Sequence, residues 1–191
     1  MSRAIVAIGA SAGGLRAFQV LLSEIVPRPS MPIILVQHRH ERSDLLMETL
    51  AHRSRAPIRE PEDKEPVTPG AVYLAPAGYH LLVDGFEFAL SVDPPVRHSR
   101  PSIDVLFNSV ADAYADGALG IVLTGANADG AAGLKRIVQR GGRAIVQDPA
   151  ESEVPVMPKA AREAVPEADV MGLAEIARYL RTDTGGGSTG R

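Results

Sequence analysis

The sequence predicts an α/β fold: a doubly wound, mostly parallel sheet flanked by helices, Rossmann-like in its three layers, with an inserted β-hairpin region. Two observations predict it. Continuous apolar runs of strand length alternate with stretches spaced as helices, and such runs belong to strands buried on both faces. Between the two groups of runs, the stretch from Ala56 to Pro95 breaks into short apolar pieces separated by Pro-Gly, Ala-Gly and Asp-Gly, the punctuation of hairpins.

In chain order, Ala4 to Ile8 is the first buried strand, ended by Gly9, and Leu15, Phe18, Leu21, Leu22 and Ile25 recur at helical spacing after it. Pro32 to Gln37 repeats the strand pattern, with a helical stretch from about Ser43 to His52 following it, so a parallel pairing is expected. Val72-Tyr73-Leu74, His80 to Val83 and Glu87 to Leu90 are short strands assigned to the appended hairpin region. Ser102 is placed to cap a helix carrying Ile103, Leu106 and Val110, ending near Ala115. Gly120 to Thr124 leads through a glycine-containing loop into a helix with Ala131, Leu134 and Ile137, and Arg143 to Gln147 is a further strand. Pro158 to Ala164 and Leu173 to Leu180 close the domain as two short helices. Residues 1–182 are therefore expected to form one domain, and 183–191, Gly/Ser-rich and without an apolar side chain to bury, a disordered tail.

Composition narrows the function. With 191 residues, 45% of them hydrophobic, the chain can fill one sizeable core. Twenty Lys and Arg stand against 23 Asp and Glu, with no basic block, so no nucleic-acid partner is expected. The absence of cysteine excludes disulfides and thiolate chemistry. No apolar run approaches the roughly 20 residues of a membrane-spanning helix, and the start lacks a signal-peptide pattern, so the expectation is a cytoplasmic protein without membrane insertion.

Three strand-to-helix loops carry candidate chemistry. Gly9-Ala10-Ser11-Ala12-Gly13-Gly14 puts Ser11 at the carboxyl edge of the sheet, where open α/β folds bind ligands and where a helix start offers unpaired N–H groups to an oxyanion. Ser11 is thus a candidate nucleophile, although it could equally do no more than cap the helix. His38 ends the second buried strand at the same edge, a candidate general base or an ordinary hydrogen-bonded histidine. His40 could compete for the role or join His38 on a metal, but no third ligand stands at usable spacing. Asp129 follows Thr124 to Ala128 where the next helix begins. It is either a helix-start aspartate favoured by the dipole or the carboxylate that orients His38. The loop fits neither G-x-G-x-x-G nor a Walker loop. The chain order Ser, His, Asp also differs from that of α/β-hydrolases, in spite of the G-x-S-x-G lettering at Gly9 to Gly13.

Taken together, Ile8 to Gly14, Val36-Gln37-His38, Tyr73 to Pro76, Ser99 to Phe107, Leu123-Thr124-Gly125 with Asp129-Gly130-Ala131, Gln147-Asp148 and Met157 to Ala161 resemble the catalytic domain of the chemotaxis receptor methylesterase (CheB-type) family, over roughly Ile5 to Leu180. The resemblance implies that Ser11 is the nucleophile, His38 the base and then acid, and Asp129 its orienter. The backbone N–H groups at Ala12 and Ala126 are the implied oxyanion hole. It further implies hydrolysis of glutamate γ-methyl esters, with deamidation of glutamines in some members, on the cytoplasmic helical domain of methyl-accepting chemoreceptors. No metal or organic cofactor is implied. Family members typically carry a receiver domain that covers the site. This sequence starts almost at the first catalytic strand, so control by a separate regulatory protein, or constitutive activity, is expected if the chain acts alone.

Departures fall around the same loops. Ala126-Asn127 stands where the family usually has Met-Gly, so Asn127 is expected to take up a backbone geometry that glycine permits. Ala12 stands where Thr is frequent, and Arg39 where Met is. These differences leave two other readings open: a binding module that keeps the fold, or a hydrolase for a different ester or amide.

Overall fold

A computed structural model describes residues 5–38 and 44–185 of the chain. Arg39 and His40, and the last six residues of the expected tail, lie outside the described residues.

The main sheet has seven strands in the order β3-β4-β2-β1-β7-β8-β9, every pairing parallel. β1 (Ile5–Ala10) lies at its centre, paired with β2 (Ile33–Gln37) on one side and β7 (Ala118–Val122) on the other. β8 (Arg143–Gln147) and β9 (Asp169–Met171) extend the second side. β4 (Val72–Leu74) and the two-residue β3 (Ile58–Arg59) extend the first. Val72 to Leu74 is therefore a strand of the main sheet and not of the hairpin, which consists of β5 (His80–Asp84) and β6 (Glu87–Ser91) alone. Three residues are too few for sequence periodicity to distinguish a sheet strand from a hairpin arm. β9, with two of its three residues exposed, offered no apolar run to read.

Successive residues of the central strands point to opposite faces, and the core divides accordingly. Ile5, Ala7, Ile34 and Val36 face a layer built from α3 (Ile103–Tyr114), α4 (Ala131–Gln139), α5 (Val156–Ala164) and the hairpin residues Leu81, Val83 and Phe88. Val6, Ile8, Ile33 and Leu35 face α1 (Gly14–Glu24), α2 (Asp44–Arg53) and α6 (Leu173–Thr184). α6 runs on past residue 182: Thr184 is buried, its hydroxyl donates to the Leu180 carbonyl, and its own carbonyl accepts the N–H of Ser30 at 2.7 Å.

Strand order reverses between β1 and β7. In open parallel sheets that crevice, beyond the carboxyl ends of the strands, is where ligands sit. The loops after β1, β2 and β7 meet there, and they carry Ser11, His38 and Asp129.

Candidate active site

Ser11 is the first residue beyond β1. It is half-buried, and its N–H donates to the Thr124 carbonyl at 3.0 Å, tying it to the loop after β7. It does not cap α1. The N-cap is Gly13, in the left-handed conformation at φ 79°, and no side chain bonds the helix start. Among the described residues the Ser11 hydroxyl makes no hydrogen bond, and catalytic contacts of this kind commonly tighten only with substrate bound.

His38 is the neighbour of Ser11 on the adjacent strand: Ala10 pairs with Gln37, and the His38 N–H donates to the Ala10 carbonyl at 3.1 Å. The Gln37 side chain stitches the two loops together, its Nε2 donating to the carbonyls of Ser11 at 2.8 Å and His38 at 3.2 Å. The His38 side chain is only 8% exposed, and its Nε2 lies 2.7 Å from Asp129 Oδ2. A carboxylate accepts, so Nε2 carries the proton, and in the neutral ring Nδ1 is the free base.

Asp129 is fully buried. It also serves α3. Oδ1 accepts from the Ser102 hydroxyl at 2.9 Å, the Asp104 N–H at 3.0 Å and the Gly130 N–H at 3.1 Å, and Oδ2 accepts the Ile103 N–H at 2.7 Å. Burial alone would push this carboxyl up. The hydrogen bonds from His38 and from the Asp104 and Ile103 N–H groups outweigh burial and hold it below its ordinary value. The positive end of α3 thus keeps a carboxylate ionised in the interior. Ser102 caps α3 as its position suggested, its Oγ accepting the Val105 N–H, but its bond to Asp129 was invisible in the sequence. Behind it His80, 1% exposed, accepts the Ser102 N–H on Nδ1 and therefore holds its proton on Nε2, facing the Pro94 carbonyl at 3.2 Å. The hairpin is thereby fastened to the start of α3.

The N–H groups of Ala12 and Ala126 belong to exposed residues on either side of this edge, and neither has a partner among the described residues. The Ala12 carbonyl accepts from Thr124 Oγ1 at 2.8 Å, and Thr124 N–H is held by Gln147 at 2.9 Å, which fixes the first of the two loops against the second. Asn127 does not take a left-handed backbone. Its Oδ1 instead accepts the Asp129 N–H at 3.0 Å, a local turn that delivers Asp129 to α3. Next to the Ser11 loop lies a cleft of about 310 Å³, lined by Gly13, Arg16, Thr124, Gln147, Glu151 and Glu153 among others.

A serine at the end of one strand and, at the end of the adjacent strand, a histidine hydrogen-bonded to a buried ionised carboxylate form an arrangement suited to nucleophilic acyl transfer. Among the described residues no helix is long and apolar enough to cross a membrane.

Comparison with known proteins points the same way. The sequence model of the CheB methylesterase family matches residues 6–180. A chain from Leptospira interrogans assigned as a protein-glutamate methylesterase/protein-glutamine glutaminase is 42% identical, with 96% of each chain covered. A Xanthomonas campestris protein-glutamate methylesterase/protein-glutamine glutaminase is 39% identical over 92% of this chain, which spans 50% of that relative's length. The crystal structure of the Thermotoga maritima CheB methylesterase catalytic domain superposes with a TM-score of 0.89 at 30% identity, covering 95% of this chain and 98% of that one.

Proposed function

The chain belongs to the CheB methylesterase family, and on that premise we propose that it hydrolyses glutamate γ-methyl esters on the cytoplasmic helical domain of chemoreceptors, releasing methanol. Glutamine deamidation, carried in the names of its relatives, follows by the same route with ammonia as the leaving group. The site of action on this reading is the cytoplasm.

The observation that carries the proposal is the 2.7 Å bond between His38 and the buried Asp129, on the strand next to Ser11. In the proposed reaction, Nδ1 of His38 takes the proton of the Ser11 hydroxyl as Oγ attacks the ester carbonyl carbon. Charge develops on the carbonyl oxygen and is met by the N–H groups of Ala12 and Ala126. The imidazolium formed is stabilised by ionised Asp129. Collapse breaks the bond to the methoxy oxygen, which leaves as methanol with the proton from His38. Water then loses a proton to Nδ1, adds to the acyl-enzyme, and restores Ser11 as the glutamate carboxylate departs.

A fluorophosphonate tests the nucleophile by covalent capture. One adduct mapping to Ser11, accompanied by loss of esterase turnover on methylated receptor, is expected. An adduct elsewhere, or full turnover after Ser11 is modified, would contradict the assignment.

A further inference from the structure

Asp104 takes no part in the chemistry proposed above, yet it is buried against the same carboxylate, at 6% exposure in the first turn of α3. Its Oδ1 accepts the N–H of Gly130 at 3.0 Å and of Gly133 at 2.7 Å, which are the start of α4. In the reverse direction the Asp104 N–H donates to Asp129 Oδ1 at 3.0 Å, with the Ile103 N–H on Oδ2. The two helices therefore exchange carboxylates: the acid before α4 seats the start of α3, and the acid in α3 seats the start of α4.

Local residues do this only in part for α4. Its N-cap is Gly130, which has no side chain, and Asp129, whose Oδ1 also accepts the Gly130 N–H at 3.1 Å, is otherwise taken up by His38 and α3 and leaves the Gly133 N–H to Asp104. Gly130 stands at φ 94°, and a Cβ there would come within 2.7 Å of Ile103 Cγ2, so the Asp129-Gly130 turn lies close against the start of α3. The two bonds from Asp104 stop it from moving away. Two buried acids in one place repel, and the offset is supplied by the two helix starts and by Arg97, whose Nε lies 3.5 Å from Asp104 Oδ2.

We propose that Asp104 is a positioning residue of the hydrolase: by pinning the Asp129-Gly130 turn from behind, it sets the distance at which Asp129 meets His38. The proposal rests on the Ser11, His38, Asp129 reading above. A displacement of the order of 1 Å at such a contact costs up to about a hundredfold in rate. A plain helix cap would affect stability without separating chemistry from binding.

The test is the kinetics of fluorophosphonate labelling of Ser11 in wild type, Asp104→Ala and Asp104→Asn, each checked for a cooperative thermal transition. Asp104→Ala is expected to lower the maximal labelling rate by about ten- to a hundredfold, with the reagent's half-saturating concentration within about twofold of wild type. Asp104→Asn, which keeps an acceptor oxygen for Gly130 and Gly133, is expected to restore most of that rate. If Asp104→Ala does not fold, Asp104→Ser takes its place with the same expectation. A folded Ala or Ser variant labelled at the wild-type rate overturns the proposal, as does an Asn variant no faster than Ala. Failure of wild type itself to label at Ser11 would instead bring down the reading on which the proposal rests, and the proposal with it.

Discussion

Asp129 stays ionised with no solvent exposure because a helix start, a hydroxyl and an imidazole all donate to it. Its carboxyl is held below the ordinary value, so its contribution to stability is present above the unfolded value of about 3.9 and is lost as pH falls through the folded one. Asp129→Asn should therefore be less stable than wild type at neutral pH, with the gap closing in acid. Its turnover should fall by about three to four orders of magnitude, as when a triad loses its orienting carboxylate. Unfolding curves and initial rates across that pH range check both halves, and a stability gap independent of pH would contradict the first. Asp104 has the opposite sign. Burial pushes its carboxyl up, against the Gly133 N–H and with the Asp129 charge adding to the shift, so its ionisation costs stability as pH rises through that window. Relative to wild type, Asp104→Asn should accordingly gain stability as pH rises above the unfolded carboxyl value of about 3.9, read from unfolding curves at stepped pH. Ser11 and Asp129 could be proposed because each stands in a glycine-containing loop after an apolar run, and His38 because it ends an apolar run at the same edge. The seat of Asp129 could not: Ser102, Ile103 and Asp104 are more than twenty-five positions away, or at that limit, and only packing of α3 on α4 brings them together.

At the scale of elements, α3 is the part that joins fold to chemistry. Its first residue, Ile103, is wedged between β1 and the start of α4: a Cβ on Gly9 would overlap the Ile103 side chain, and one on Gly130 would crowd it. Gly9→Ala must therefore displace the Ile103 side chain, in the turn whose N–H groups hold Asp129. We expect it to cost about 1–3 kcal/mol of stability, typical of overpacking, and to slow turnover more than it weakens binding. Denaturant unfolding together with kcat and KM measures both, and an unchanged kcat would show that the start of α3 can shift without disturbing Asp129. Helix periodicity and the Ser102 cap made α3 legible as an element, with both of its ends close to where they were expected. Its role was not legible, because nothing in a local pattern reports which loop will supply the acid at its N-terminus. Asn127 shows the same limit. Reading it as a stand-in for glycine did not reveal that its side chain makes a turn through the Asp129 N–H.

For the whole molecule, the parallel sheet and its two helical layers followed from apolar runs alternating with helical spacing. What the sequence hid were β3 and β9, strands too short or too exposed to show a period, and the sheet to which β4 belongs; all three widen the sheet without entering the site. The strand order matters more than its width. Placing β7 beside β1, away from β2 and β4, creates the crevice in which three separate loops meet. The central claim is that this crevice hydrolyses a methyl ester through Ser11, and methanol release from a methylated chemoreceptor cytoplasmic fragment tests it most directly. Wild type should release methanol and Ser11→Ala, folded to the same degree, should fall short by several orders of magnitude. Equal release by the two proteins, or none from wild type, would contradict it.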